Sequence, residues 1–159
     1  MAKKTPATLL LDKLGIAYEV LEYDYDSSVT AKGLAAAAAV GLPPSQVFKT
    51  LMASAGGEVV AAVLPSDAKL DMKALARIVK AKSADMVKPQ DAERISGYHV
   101  GGVSPLGQKK RLRCFIDQSA EFLPFMLVNG GQRGLQIKIS PPDLAKAAGA
   151  AFVPIATRD

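Results

Sequence analysis

Two stretches of this sequence carry residues able to do chemistry. The first is Val47-Phe48-Lys49-Thr50-Leu51-Met52-Ala53. In an extended chain Lys49 shares a face with Val47, Leu51 and Ala53, while Phe48, Thr50 and Met52 take the other, so both faces are largely apolar. A lysine in such company snorkels to solvent at a strand end, finds a partner, or holds its proton less tightly, because desolvation disfavours the charged form. A functional ammonium in a pocket is the sharper of these readings. The second stretch is Tyr98-His-Val-Gly-Gly-Val-Ser-Pro-Leu-Gly107, followed at once by Gln108-Lys-Lys-Arg-Leu-Arg113. Its glycines let the backbone turn tightly and let a ligand approach main-chain N–H groups. With Lys109, Lys110, Arg111 and Arg113 next to it, such a loop suits an anion or a polarised carbonyl. It also suits an ordinary glycine and proline connection leading into a strand with a solvated basic face.

Other catalytic constellations are absent. Ser104 lies in no GxSxG elbow, and the single His99 has no partner at triad spacing. Cys114 falls inside an expected strand, where a small buried hydrophobe is its natural role. One histidine and one cysteine exclude the usual multi-ligand metal sites, and neither a Walker A pattern nor GxGxxG occurs, so no metal or cofactor is expected. An enzyme built from these residues depends on binding, backbone donors, one lysine and the substrate's own groups.

The elements that must position these groups fit in one domain. A chain of 159 residues with 49% hydrophobic residues can bury a core without disulfides or metals. A lone cysteine points to a reducing, cytoplasmic setting. Twenty Lys+Arg against fifteen Asp+Glu give a net charge of +5, which admits a polyanionic partner without requiring one. The longest apolar run, Leu34 to Leu42, is half the length of a membrane span, and no secretory apolar core follows Met1-Ala-Lys-Lys-Thr5. The expectation is a soluble protein with no membrane partner.

Read in order, Thr5-Pro6 opens a helix from Ala7 to Leu14 that stops at Gly15. Ile16 to Tyr23 alternates as a strand, and Ser27-Ser28-Val29-Thr30 offers hydroxyls to cap a helix from Ala31 to Val40. Gln46 to Ala53 and Glu58 to Leu64 form a hairpin about Gly56-Gly57. Asp71 caps a helix from Met72 to about Ala81, and another runs from Pro89 to Ile95. Cations at 69, 73, 77, 80, 82 and 88 give this region a basic face, which a solvated helix surface explains equally well. Strands are expected at Leu112 to Asp117, Pro124 to Val128, Leu135 to Ile139 and Ala151 to Ile155, with a Ser140-capped helix from Pro141 to Ala148. Hairpin-like clusters without a regular βαβ repeat predict α+β, a mixed, mostly antiparallel and barrel-like sheet with flanking helices.

Val47-Phe-Lys49-Thr-Leu51, Gly97 through Leu112 and Val128-Asn-Gly-Gly-Gln-Arg-Gly-Leu135, in this order and spacing, resemble the YbaK family of aminoacyl-tRNA editing proteins, and most of all its Cys-tRNA(Pro) deacylases. The resemblance runs from Thr5-Pro6 to Arg158-Asp159, and it implies an α/β domain around a mostly antiparallel barrel-like sheet.

It further implies a stand-alone proofreader that cleaves cysteine from tRNA(Pro) mischarged by prolyl-tRNA synthetase, and that also admits Cys-tRNA(Cys). Lys49 matches the family's functional lysine and Tyr23 its pocket tyrosine. Gly101, Gly102, Ser104 and Pro105 match the glycine-loop positions beside the aminoacyl ester, and Gly130 and Gly131 follow in the second glycine motif. Asn129 stands where relatives commonly have Ser, and Gln136 where related proteins can carry Asp, which removes a carboxylate that could act as a base. On this reading Lys49 and the N–H groups of Gly101 to Ser104 polarise the ester, and the substrate's own thiol attacks. Lys109, Lys110, Arg111 and Arg113 would meet tRNA phosphates, with prolyl-tRNA synthetase as a transient partner supplying tRNA choice. Two other readings use the same scaffold: an Ala-tRNA(Pro) or other small-amino-acid deacylase acting by water, and a non-catalytic tRNA-binding module.

Overall fold

The hairpin that carries Lys49 sits at the centre of the structure. In the computed structural model, which describes residues 4–25 and 32–158, β2 (Phe48–Ala55) and β3 (Glu58–Pro65) pair antiparallel over eight residues, from Phe48↔Pro65 to Ala55↔Glu58. The turn is tight because Gly56 and Gly57 both take positive φ, 59° and 82°, the geometry that matches the twist of the flanking strands. Around this hairpin the chain adds α1 (Pro6–Leu14), β1 (Glu19–Glu22), α2 (Lys32–Val40), β4 (Lys69–Leu70), α3 (Met72–Ile78), β5 (Ala84–Met86) and α4 (Pro89–Ser96). It then continues through β6 (Arg113–Asp117), β7 (Met126–Asn129), β8 (Leu135–Ile139), α5 (Pro141–Ala148), β9 (Ala150–Val153) and β10 (Ala156–Thr157).

The α+β expectation holds, with a sheet that is mixed and mostly antiparallel. The five-stranded sheet runs β5-β2-β3-β6-β9, a three-stranded one runs β1-β8-β7, and β4 pairs with β10. Only β3–β6 and β6–β9 are parallel; β1–β8, β7–β8, β2–β3, β2–β5 and β4–β10 are antiparallel. The strands of the described residues do not close into the expected barrel-like sheet but form separate sheets. Among the described residues, one parallel bridge, Val47↔Leu127, pairs the backbones of the two larger sheets where β2 begins.

Alternation along the strands builds the layers. Ala61, Val63, Cys114 and Ile116 turn to one face of the large sheet, where they meet Met126, Val128, Ile137 and Ile139 of the small sheet, Ala7 and Leu11 of α1, and Leu144 of α5. Val60, Ala62, Leu64 and Phe115 turn to the other face, against Leu75 and Ile78 of α3. The outer face of the small sheet, through Leu21 and Leu127, is covered by Ala36, Ala37 and Val40 of α2.

Local signals placed most helix ends. The Thr5 and Thr8 side chains cap each other's backbone at the start of α1, Ser140 accepts from Asp143 N at the start of α5, and Gly15 and Gly149 close those helices at φ 68° and 63°. Asp71 caps α3 as expected, but the helix ends at Ile78 and not near Ala81. The reason is a non-glycine C-terminal cap: Lys80 takes φ 60°, and the Ala81 N–H reaches back to Ala76 O at 2.8 Å. The short strands β4, β5 and β10 were not expected, since two or three residues carry no periodicity. The proposed cap at 27–30 lies outside the described residues. No helix among the described residues is long and apolar enough to cross a membrane.

Candidate functional site

A pocket of about 550 Å³ opens beside β2. Lys49, Thr50, Leu51 and Met52 form one wall, the turn from Ser66 to Lys69 another, and Met86, Val87, Pro89 and Ala92 a third. Tyr23, Val100, Gly101, Val103 and Asn129 complete it, with Leu34 of α2. Lys49 is half-buried here, and its Nζ donates to Ser66 O at 3.5 Å. Burial lowers its pKa from the ordinary lysine value, while the Asp67 carboxylate pulls the other way. Asp67 is itself shared, since Arg158 pairs with it at 3.2 Å. The turn is fixed in place: Ser66 N donates to Val47 O at 2.9 Å and Ser66 Oγ to Pro44 O at 3.1 Å. The long bond to Ser66 leaves the ammonium with donors to spare for a ligand.

Tyr23 stands just past β1, anchored by its N–H to Gly134 O at 2.9 Å. Burial raises the pKa of its phenol, and the Gln136 side chain is its hydrogen-bond partner. Gln136 lies opposite both Leu21 and Asn129 in the small sheet. Its Oε1, like Thr50 Oγ1 on the pocket wall, is buried and has no hydrogen-bond partner among the described residues. Buried polar atoms are seldom left unmatched; of these two residues, Thr50 belongs to the pocket lining and Gln136 lies behind it.

The glycine stretch divides. Its first half reaches the pocket: Asn129 Nδ2 donates to Gly101 O at 3.1 Å, while Asn129 Oδ1 accepts from Gly131 N at 2.7 Å and Gln132 N at 3.2 Å. One amide thus pins both glycine turns together. Gly101 has φ 91°, and a Cβ there would run into Tyr25 Oη. Gly102 corrects an expectation, because its N–H is used by His99 O at 2.8 Å and is not free to polarise an ester. A Cβ on Gly102 would meet Arg133 N at 2.9 Å, so glycine is needed there for close packing of two backbones.

The second half turns inward. Ser104 is fully buried; its Oγ accepts from Leu106 N at 3.2 Å and its O from Gln108 Nε2 at 2.9 Å. Pro105 lines a separate cavity of about 200 Å³ with Leu10, Arg111 and Cys114, whose thiol pKa burial pushes up to about 12. Gly130 and Gly131 are packing points. Gly130 O accepts from Thr5 Oγ1 at 2.6 Å, and a Cβ on Gly131 would reach Tyr98 Cε1 at 2.7 Å. Neither Ser104, Pro105, Gly130 nor Gly131 lines the Lys49 pocket.

The basic run does not form one strip. Lys109 and Lys110 are exposed beside Arg94 and Ile95 on α4. Arg111 faces the second cavity, and Arg113 pairs with Glu58 at 3.3 Å above the Phe115 ring. Among the described residues, the cation that shares the pocket with Lys49 is Lys69. Sequence reasoning missed Ser66, Asp67 and Lys69 as neighbours of the lysine, and Arg158 as the partner of Asp67. The hairpin about Gly56-Gly57 brings the end of β3 back beside Lys49, but Ser66-Asp67 reads only as a turn after a strand, and its residue types do not say that it closes one wall of a pocket.

The profile of the family described as aminoacyl-tRNA editing domain matches residues 29–147. A proposed Cys-tRNA(Pro)/Cys-tRNA(Cys) deacylase, EbsC of Enterococcus faecalis, is 29% identical over 160 aligned residues that take in 99% of this chain and 96% of that protein. A proline–tRNA ligase of Geobacter metallireducens is 29% identical over 99 residues, which are 62% of this chain and 17% of the ligase. Among solved structures, a proposed trans-editing enzyme for prolyl-tRNA synthetase superposes with a TM-score of 0.84 at 23% identity, covering 98% of this chain and 99% of that one. That last likeness is one of fold.

Proposed function

The chain belongs to the aminoacyl-tRNA editing domain family, and from that premise we propose that it is a deacylase that removes cysteine from mischarged tRNA(Pro), and also from Cys-tRNA(Cys). The observation that carries this reading is Lys49, a half-buried ammonium with donors to spare, in a pocket whose walls, among the described residues, supply no nucleophile paired with a base. An aminoacyl ester is activated, so electrostatic help to its carbonyl goes far. Lys49 donates to the carbonyl oxygen as negative charge grows there. The substrate's Sγ attacks its own carbonyl carbon; a C–S bond forms and the ester C–O bond breaks. The thiol proton ends on the released ribose oxygen, and water opens the resulting β-thiolactone to free cysteine.

Tyr23 and Asn129 line the pocket and limit the aminoacyl group that fits beside Lys49. Selection is chemical as well as steric, since a proline ring has no thiol. A pocket alone discriminates by only ~1–3 kcal/mol per methylene. A transient partnership with prolyl-tRNA synthetase and a cytoplasmic site of action follow from the same reading. The similarity to a segment of a proline–tRNA ligase supports that partnership. The test is a deacylation panel of Cys-, Ala- and Pro-charged tRNA(Pro) with Cys-tRNA(Cys). Release of cysteine alone is expected. Release of alanine at a comparable rate would point to water attack, and no release from any of them would leave a binding module.

A further inference from the structure

The pocket is several times larger than a cysteinyl group needs. At about 550 Å³ it falls within the range of roughly 300–1,000 Å³ that holds a drug-sized ligand. Its mouth is also unusual in character. Six large apolar side chains are exposed among the described residues, and three of them, Leu34 at 42%, Met86 at 47% and Val100 at 38%, converge on this one pocket. They come from three separate places in the chain: α2, the short edge strand β5 and the start of the glycine loop. Scattered exposed apolar residues need no explanation, but a rim assembled from distant segments around a cavity marks a binding surface. Among the described residues the charges in the lining are Lys49, Lys69 and Asp67, and Asp67 is tied to Arg158. The pocket therefore favours an apolar group joined to an anion.

We propose that Leu34, Met86 and Val100 seat the base of the terminal adenosine that carries the amino acid, with Lys69 meeting the phosphate that precedes it. The inference rests on the deacylase reading and adds to it how the nucleoside end is held. Every base presents a flat apolar face, and contact with that face holds it without reading its edge. The rim supplies aliphatic side chains for this purpose. The reacting ester then lies deeper, at Lys49.

The experiment uses two cysteine esters, one to adenosine and one to methanol, each rate divided by its uncatalysed rate. For the wild-type protein kcat/KM favours the adenosine ester. In Met86→Ser and Leu34→Ser that preference falls about fivefold to tenfold, chiefly through KM for the adenosine ester. Met86→Leu, which keeps the apolar surface, retains it. Free adenosine should inhibit the wild type and inhibit the Ser variants more weakly by the same factor. Both substituted side chains are exposed, and matching melting temperatures will confirm that folding is unaffected. An adenosine preference unchanged in both Ser variants overturns the seat and leaves the rim to a protein partner. A wild type inert on both esters overturns the deacylase reading itself, and this inference with it.

Discussion

The two halves of the stretch from Tyr98 to Arg113 read as one functional unit in the sequence, yet they serve different ends in the fold. Val100, Gly101 and Val103 line the Lys49 pocket, whereas Ser104 to Gly107 are built into the packing behind it. A Cβ on Gly107 would meet Pro6 O at 2.5 Å, so that glycine is required by α1 and not by any ligand. The basic residues that follow part company as well: Lys109 and Lys110 stay exposed, Arg113 pairs with Glu58, and Arg111 looks into another cavity. Glycines and cations at close spacing are thus no guide to a shared role. What decides is which neighbour each meets across the fold.

The largest effect expected from testing this contrast is at the pocket. Lys49→Ala should lower deacylation on the order of 10²-fold or more, while the unfolding free energy changes by no more than ~1 kcal/mol, as for other partly exposed positions. Lys49→Arg should not rescue, because a planar guanidinium does not fit where a compact ammonium sat. Turnover near wild type in either variant would mean that the pocket is no more catalytic than the packed half.

Gly102→Ala probes the seam between the halves. Its new Cβ meets the Gln132–Arg133 backbone, and overpacking of this kind costs roughly 1–3 kcal/mol. The midpoint of urea unfolding should drop, and turnover per folded molecule should fall far less than in Lys49→Ala. Full stability with lost turnover would restore Gly102 to the ester site.

A smaller effect is expected at the exposed cations. Changing Lys109 and Lys110 to Ala should weaken tRNA binding and flatten the log–log salt dependence by up to ~0.7 per lost phosphate contact at a single-stranded end. An unchanged slope and affinity would make them a solvated face with no part in holding tRNA.

The smallest effect concerns pH. The Lys49 pKa is lowered in the folded state by burial, so the unfolded chain binds more protons across the alkaline range below about 10.4. Stability from this group therefore rises with pH through that window and levels off above it. Lys49→Met lacks the titration; its melting temperature should match or exceed that of the wild type at pH 7, and the difference should shift in favour of the wild type as pH approaches 10. A difference independent of pH would show that burial imposes nothing on the ammonium.

Much of this was legible in the linear order because it depends on near neighbours. Thr5, Asp71 and Ser140 cap helices through bonds to residues three positions on, and Gly56-Gly57 turns a hairpin by its own φ angles. The apolar surroundings of Lys49 follow from alternation alone. In contrast, the short strands β4 and β5 become strands only because a partner lies beside them. The end of α3 escaped notice because Lys80 takes a conformation that its residue type does not announce.

By itself, then, the sequence determined the helix caps, the central hairpin and the half-buried lysine, since each is governed by forces acting within a few residues. Only the tertiary structure decided that Ser66 O, 17 positions away, faces Lys49 Nζ, that Asn129 clasps Gly101 across 28 positions, and that Gly102 spends its N–H on His99. The physical reason is that strand order and register bring distant segments together, and a side chain's work depends on the partner delivered to it.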